Sequence, residues 1–304
     1  MASREGSGSV SRLGLATVVF AQFVALMAVC LLIGDNGWDD GAITLAFSRT
    51  FATHGLVALT PYSETVEGFS TVSWFLLNAL AALARPSYIS SILLSQILSV
   101  LCICASTVLL ARTCVLLRLD RLFSILTVVA FAASGCSFSE ASYGMEMGLL
   151  AAAILVIVNE LLLPRPRMFL LSLGVVLAVT TRFEAILYVS LLALGALFAV
   201  NRRACWAIFG TCLGVVLLLL SWRLVVFSDV LPNTFWAKRW PPYAAFDLVS
   251  RLIGAVELPR FFLVSLIALE ILVRLGFDLV STLRTRHDAF LILACPILGA
   301  ILMG

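Results

Sequence analysis

Charge is scarce in this chain. Only 12% of its 304 residues are Asp, Glu, Lys or Arg, about half the share of a soluble domain, and there is a single lysine, Lys238. The formal net charge is +3, and no basic cluster with interleaved aromatics occurs, so nucleic acid is excluded as a partner. The eight cysteines lie in or beside apolar runs, without a CxxC, and Cys102–Cys104 is a poor spacing for a metal on a helix. They are expected to be small apolar fillers rather than a redox or zinc framework. No soluble domain or internal repeat is visible, and the run 13–33 lacks a signal-peptidase A-x-A site.

What remains is hydrophobic: 62% of the residues, with a mean hydropathy of +1.10. Apolar runs cover 13–33, 72–84, 88–111, 122–138, 146–163, 168–181, 183–200, 204–227, 261–273 and 289–303. Several reach 17 residues or more, the length of a transmembrane helix. The fold class expected is all-α, a polytopic transmembrane helical bundle. The short arm 1–12 is read as cytoplasmic, residues 1–9 of it disordered, and 13–304 as the membrane module. Run 13–33 is read as an uncleaved signal anchor.

Arginine sets the orientation. Twelve of the 20 basic residues gather at 4/12, 112/118/121, 165/167, 202/203 and 274/284/286, and cytoplasmic loops are enriched in such residues. With residue 34 outside and 112 inside, only one crossing fits between them. Run 72–84, about 20 Å long as a helix and carrying Trp74 and Asn78, is therefore assigned to the first outer loop (34–87) as a re-entrant or interfacial helix. About nine spans result. Eleven of the 17 acids then share the outer face: Asp35, Asp39, Asp40, Glu64, Glu67, Glu140, Glu146, Glu184, Asp229, Asp247 and Glu257.

Each polar constellation has a plain reading beside the functional one. Asp39 or Asp40 could cap a helix whose apolar stripe is Ile43, Phe47 and Phe51 and whose stop is Gly55. That explains one aspartate, not two. His54 suits a helix end. Glu146, in SYGMEMGLL, is a solvated helix start or a paired group at the edge of lipid. Arg182 and Glu184, in TTRFEAI, form a simple turn or a charged site. Arg223 lies inside a span. Downstream come Asn233, Lys238 and Arg239 beside Trp236 and Trp240, an interfacial anchor or a phosphate-binding patch.

The order of these pieces is Trp38-Asp39-Asp40, Arg49, His54-Gly55, Val66-Glu67-Gly68, Gly144-Met145-Glu146, Thr181-Arg182-Phe183-Glu184, and Leu231 to Lys238. It resembles the bacterial polyprenyl-phosphate-dependent glycosyltransferases of the GT-C fold, and among them the mycobacterial-type terminal arabinofuranosyltransferases. Phe183 and Ala185 stand where the family usually has Pro and Gly, and Met147 stands where it has Thr. Relatives usually carry further spans, so a minimal or shortened form is expected.

The resemblance implies a bundle whose first outer loop closes over a cavity. It implies transfer of a sugar, arabinofuranose among the candidates, from a polyprenyl-phosphate donor to a cell-envelope glycan or glycolipid hydroxyl. That site would lie at the outer face of the plasma membrane, at the surface of the lipid bilayer. Asp39 or Asp40 would be the base, Arg182, Lys238 and Arg223 would bind the donor phosphate, and His54, Glu67, Glu146, Glu184 and Asn233 would support them. Paired outer carboxylates could hold a divalent cation, though the spacing fixes no ligand set. The alternative is a non-catalytic lipid-carrier transporter or membrane scaffold, but a transporter usually places its charges near mid-bilayer on broken helices.

Overall fold

The computed structural model describes residues 11–33, 40–84, 87–198 and 202–229. Asp39, Asn233, Lys238, Arg239 and the expected spans 261–273 and 289–303 lie outside these residues. All regular elements among the described residues are helices: α1 (Arg12–Ile33), α2 (Asp40–His54), α3 (Val72–Ala84), α4 (Tyr88–Leu116), α5 (Arg121–Ala132), α6 (Gly135–Tyr143), α7 (Met147–Leu161), α8 (Met168–Thr181), α9 (Ala185–Phe198) and α10 (Arg202–Phe227).

Every apolar run within the described residues becomes helix. The run expected at 122–138 is divided. Asp120 accepts from Phe123 N at 2.9 Å and starts α5. Ser134 then adopts an extended backbone, and its Oγ accepts from Ser137 N at 3.4 Å. A hydroxyl that satisfies a backbone N–H competes with helix continuation, so α6 begins anew.

Arg12–Leu32, Ile89–Leu116, Arg121–Tyr143 and Arg202–Phe227 are long and apolar enough to cross a membrane, and α3, α7, α8 and α9 are shorter apolar helices. The first of these stretches is only 17% buried. A helix so apolar and so little covered by its own chain has the outside of a membrane helix, not of a soluble core helix.

Helices α4 and α7 pack in parallel. Ser99, Ser106 and Thr113, spaced by seven on one face of α4, donate to Met145 O at 2.8 Å, Gly148 O at 3.0 Å and Asn159 Oδ1 at 3.3 Å. A Cβ at Gly148 would lie 3.0 Å from Ile103 N, so the small residue permits this approach. A core of Ile157, Leu171, Val175, Val189, Leu192 and Ile208 joins α7, α8, α9 and α10. A second, of Leu26, Val100, Ile103 and Ala141, joins α1, α4 and α6.

The consequence is two distinct ends. The starts of α4, α7 and α9 and the ends of α6, α8 and α10 lie together. Helix α3 stays at that end. Its Ser73 Oγ is hydrogen-bonded to Thr180 Oγ1 near the end of α8, and Trp74 Nε1 donates to Gly144 O at 3.0 Å. Only three residues separate it from α4, whose Ser91, in its first turn, accepts from Arg49.

Candidate functional site

The site is built from the segment between α2 and α3. Gly55 ends α2 with φ +71, the left-handed stop that glycine adopts without strain. The chain then turns back: Val66 N donates to Val57 O at 3.2 Å, and Thr50 Oγ1 to Leu59 O at 3.1 Å. Phe69 stacks on Phe75 with centroids 4.2 Å apart and meets Phe47 edge-on at 5.5 Å. Gly68 lies against that cluster so closely that a Cβ would be 2.4 Å from the Phe47 ring. The glycine of Val66-Glu67-Gly68 is thus a packing requirement, and it fixes the backbone that carries Glu67.

Glu67 forms a two-point pair with Arg223 of α10. Arg223 Nε donates to Oε2 at 2.7 Å and Nη2 to Oε1 at 3.0 Å, across 156 residues of sequence. Each side chain is only 2% exposed. Burial pushes the Glu67 carboxyl above its usual value, and the guanidinium opposes that rise without cancelling it. Desolvating two charges costs several kcal/mol per ion, offset only by good geometry; the parallel donors supply it. The Arg223 guanidinium carbon stands 5.6 Å from the centre of the Phe183 ring. Its Nη1 is buried without a hydrogen-bond partner.

Arg182, adjacent to Phe183, reaches the other way. Its Nε lies 2.8 Å from Glu146 Oε1 at the start of α7. The N–H is not aligned along that contact, so the link is a charge contact rather than a well-formed hydrogen bond. Glu146 is 4% exposed and Arg182 24%. Glu146 is therefore no solvated helix start: it makes no cap bond to its own helix and is buried on a cation. The stretch at 182–184 is a tight turn, with Ala185 N on Arg182 O at 3.0 Å. The turn explains the break between α8 and α9, and its successive residues contact both ion pairs. Glu184 points to solvent and joins neither.

The remaining expected residues are distributed differently. Asp40 opens α2. Beside that start lies a shallow cleft of about 10 Å³, lined by Gly41, Ala42, Leu45, Ile92, Ser95, Ser142 and Tyr143. The ion pairs do not line it. His54 stands at the other end of α2, about 20 Å from Asp40 along the axis. It is exposed, with Nδ1 2.6 Å from Thr53 Oγ1. Arg223 was expected to bind phosphate; the structure places it in a buried pair with Glu67, where it orders the loop. Among the described residues, no three His, Cys, Asp or Glu side chains gather as a metal site.

Sequence reasoning overlooked a charged pair at the opposite end. Glu160, 2% exposed, accepts from Arg167 N at 2.9 Å and Arg167 Nε at 3.1 Å. Next to it, Asn159 Nδ2 donates to Leu109 O at 3.0 Å. The available signal was an Asn-Glu pair ending an apolar run just before Pro164-Arg165-Pro166-Arg167. No protein-family model, curated protein or solved structure matches the chain.

Proposed function

We propose that the chain is an integral-membrane glycosyltransferase of the GT-C type, with about nine spans and its site at the outer face of the plasma membrane. The observation that carries this reading is the α8–α9 turn. Arg182 contacts Glu146, and Phe183 lies beside the Arg223–Glu67 pair, at the bundle end where α2 begins with Asp40. The confinement of α3 to that end supports a first outer loop of 34–87.

In this reading the acceptor hydroxyl oxygen attacks the anomeric carbon of a polyprenyl-phosphate sugar. Its proton passes to Asp39 or Asp40, and the bond from carbon to phosphate oxygen breaks with the electron pair leaving on the phosphate. A carboxylate within about 3 Å must take the proton. Cations must meet the phosphate as its charge develops. Arg182, partly exposed, takes that part together with Lys238. The Glu67–Arg223 pair holds the loop over the site.

The test supplies membranes containing the chain with a panel of labelled polyprenyl-phosphate sugars and measures released polyprenyl phosphate. Release that depends on an aspartate at 39 or 40 is expected. No release from any donor, together with movement of intact carrier across proteoliposomes, would replace the enzyme with a transporter. Neither release nor movement would leave a scaffold.

A further inference from the structure

The bundle end away from the ion-pair site carries exposed arginines at 112, 118, 121, 165, 167, 202 and 203. They differ in what holds them. Arg167 is tied to Glu160. Arg165, Arg202 and Arg203 make no side-chain hydrogen bond or ion pair among the described residues. Arg202 and Arg203 open α10, and Arg165 lies in the turn that leads into its neighbour α8. Thr211 Oγ1 of α10 donates to Ser172 Oγ of α8 at 3.0 Å, which sets the helices side by side. Counting back from that contact, α10 begins nine residues earlier and α8 four, so α10 projects roughly 7 Å further. The turn through Pro164, Arg165 and Pro166 leads into the shorter helix at that level.

Directly along the helices from these cations the surface is apolar and aromatic. Phe169 is 76% exposed and Trp206 70%, and Phe209 and Leu213 continue the exposed strip on α10. Trp206 follows Arg202 by four residues and Arg203 by three, so all three share a helix face. Neither α8 nor α10 has an acid in its first turn.

We propose that this surface binds an anionic phospholipid. The headgroup phosphate would lie on Arg202 and Arg203, with Arg165 of the neighbouring turn adding positive charge, and an acyl chain along Trp206, Phe209 and Leu213. Guanidinium is suited to phosphate because its donors meet two oxygens at once. A soluble anion would need the cations but not the aromatic wall, and a zwitterionic lipid would need the wall but not cations without counter-charge. The inference is independent of the proposed activity, whose described ion pairs, Glu67 with Arg223 and Glu146 with Arg182, lie at the other end.

The experiment uses the full chain in phosphatidylcholine nanodiscs containing increasing phosphatidylglycerol, with retained lipid read by native mass spectrometry. The unaltered protein should retain phosphatidylglycerol. R202Q/R203Q should retain it roughly tenfold less well or worse. R118Q/R121Q removes the same charge from the same end and should change retention little. Arg165→Gln, in a turn and without bonds to lose, gives a smaller loss in the same direction and serves if the double variant does not fold. Equal loss in both double variants would show diffuse charge rather than a site. Unchanged retention in R202Q/R203Q, or complete displacement by soluble glycerol phosphate, would also overturn the proposal.

Discussion

At one end of the bundle guanidinium groups turn inward onto carboxylates; at the other they turn outward. Arg223 and Glu67 are almost wholly buried together, and Glu146 is buried against Arg182. About 22 Å away along α7, Arg167 remains 53% exposed while covering Glu160, and Arg165, Arg202 and Arg203 face solvent. Exposed ion pairs contribute little to stability, whereas burying a pair carries a desolvation cost that apolar residues would avoid. The inward-facing end thus carries polar chemistry that packing alone would not select. It also joins distant segments, 67 to 223 and 146 to 182, while Glu160 and Arg167 merely close one turn.

The contrast would be sharpened most by the aspartates. If the inward end is catalytic, either Asp39→Asn or Asp40→Asn should lower turnover by roughly a hundredfold or more, with the protein still folded in the membrane. Glu160→Gln, at the far end, should not change turnover per folded molecule. Equal losses from both ends, measured as released polyprenyl phosphate, would erase the distinction.

The second effect is on stability. Arg223→Met leaves a buried carboxylate without its partner and should cost about 3–5 kcal/mol, read by thermal unfolding in nanodiscs. Glu67→Gln combined with Arg223→Met should recover much of that loss, because no uncompensated charge remains. The pH dependence follows from the Glu67 carboxyl, which burial already raises. Without Arg223 nothing opposes the rise. A carboxyl that holds its proton more tightly folded than unfolded contributes stability at low pH and loses it as pH rises through its folded value. The deficit of Arg223→Met should therefore shrink on acidification.

Much of this architecture was legible in the sequence, because apolar run length is a local signal. The runs at 13–33, 88–111 and 204–227 all became helices. The left-handed stop at Gly55 was also local. The pairing of Glu67 with Arg223 was not, since nothing near either residue specifies a partner 156 positions away. Arg223 was therefore assigned to phosphate. The Glu160–Arg167 pair is not legible in run length, because Glu160 ends an apolar run and its partner lies seven residues on, beyond Pro164 and Pro166. The division of 122–138 depends on one serine hydroxyl at Ser134, which hydropathy does not register.

A smaller effect is expected at Gly68. Its added Cβ would meet the Phe47 ring at 2.4 Å, and that ring is already packed on Phe69. Gly68→Ala should cost about 1–3 kcal/mol, the usual range for overpacking. It should also loosen the loop that presents Glu67. Faster proteolysis near residues 60–64 is the readout; an unchanged cleavage rate would mean the ring moves aside and the loop is held by the ion pair alone.

The smallest effect is expected at His54, which tests how far the inward-facing end extends. It stands beside Gly55 in the family-like order and was expected to support the site. The structure gives it an exposed position in the last turn of α2, with one side-chain contact, to the neighbouring Thr53. A histidine there can assist the helix through its dipole, but it lies about 20 Å from Asp40 along the axis, too far to share a proton with it. His54→Gln should therefore change stability by no more than about 0.5 kcal/mol, as for ordinary surface substitutions. Turnover should stay within roughly a factor of two, well short of the loss from removing a general base. If turnover instead falls as far as in the aspartate variants while the unfolding temperature holds, the acceptor must approach over the end of α2. The catalytic region would then include the exposed rim as well as the buried pairs.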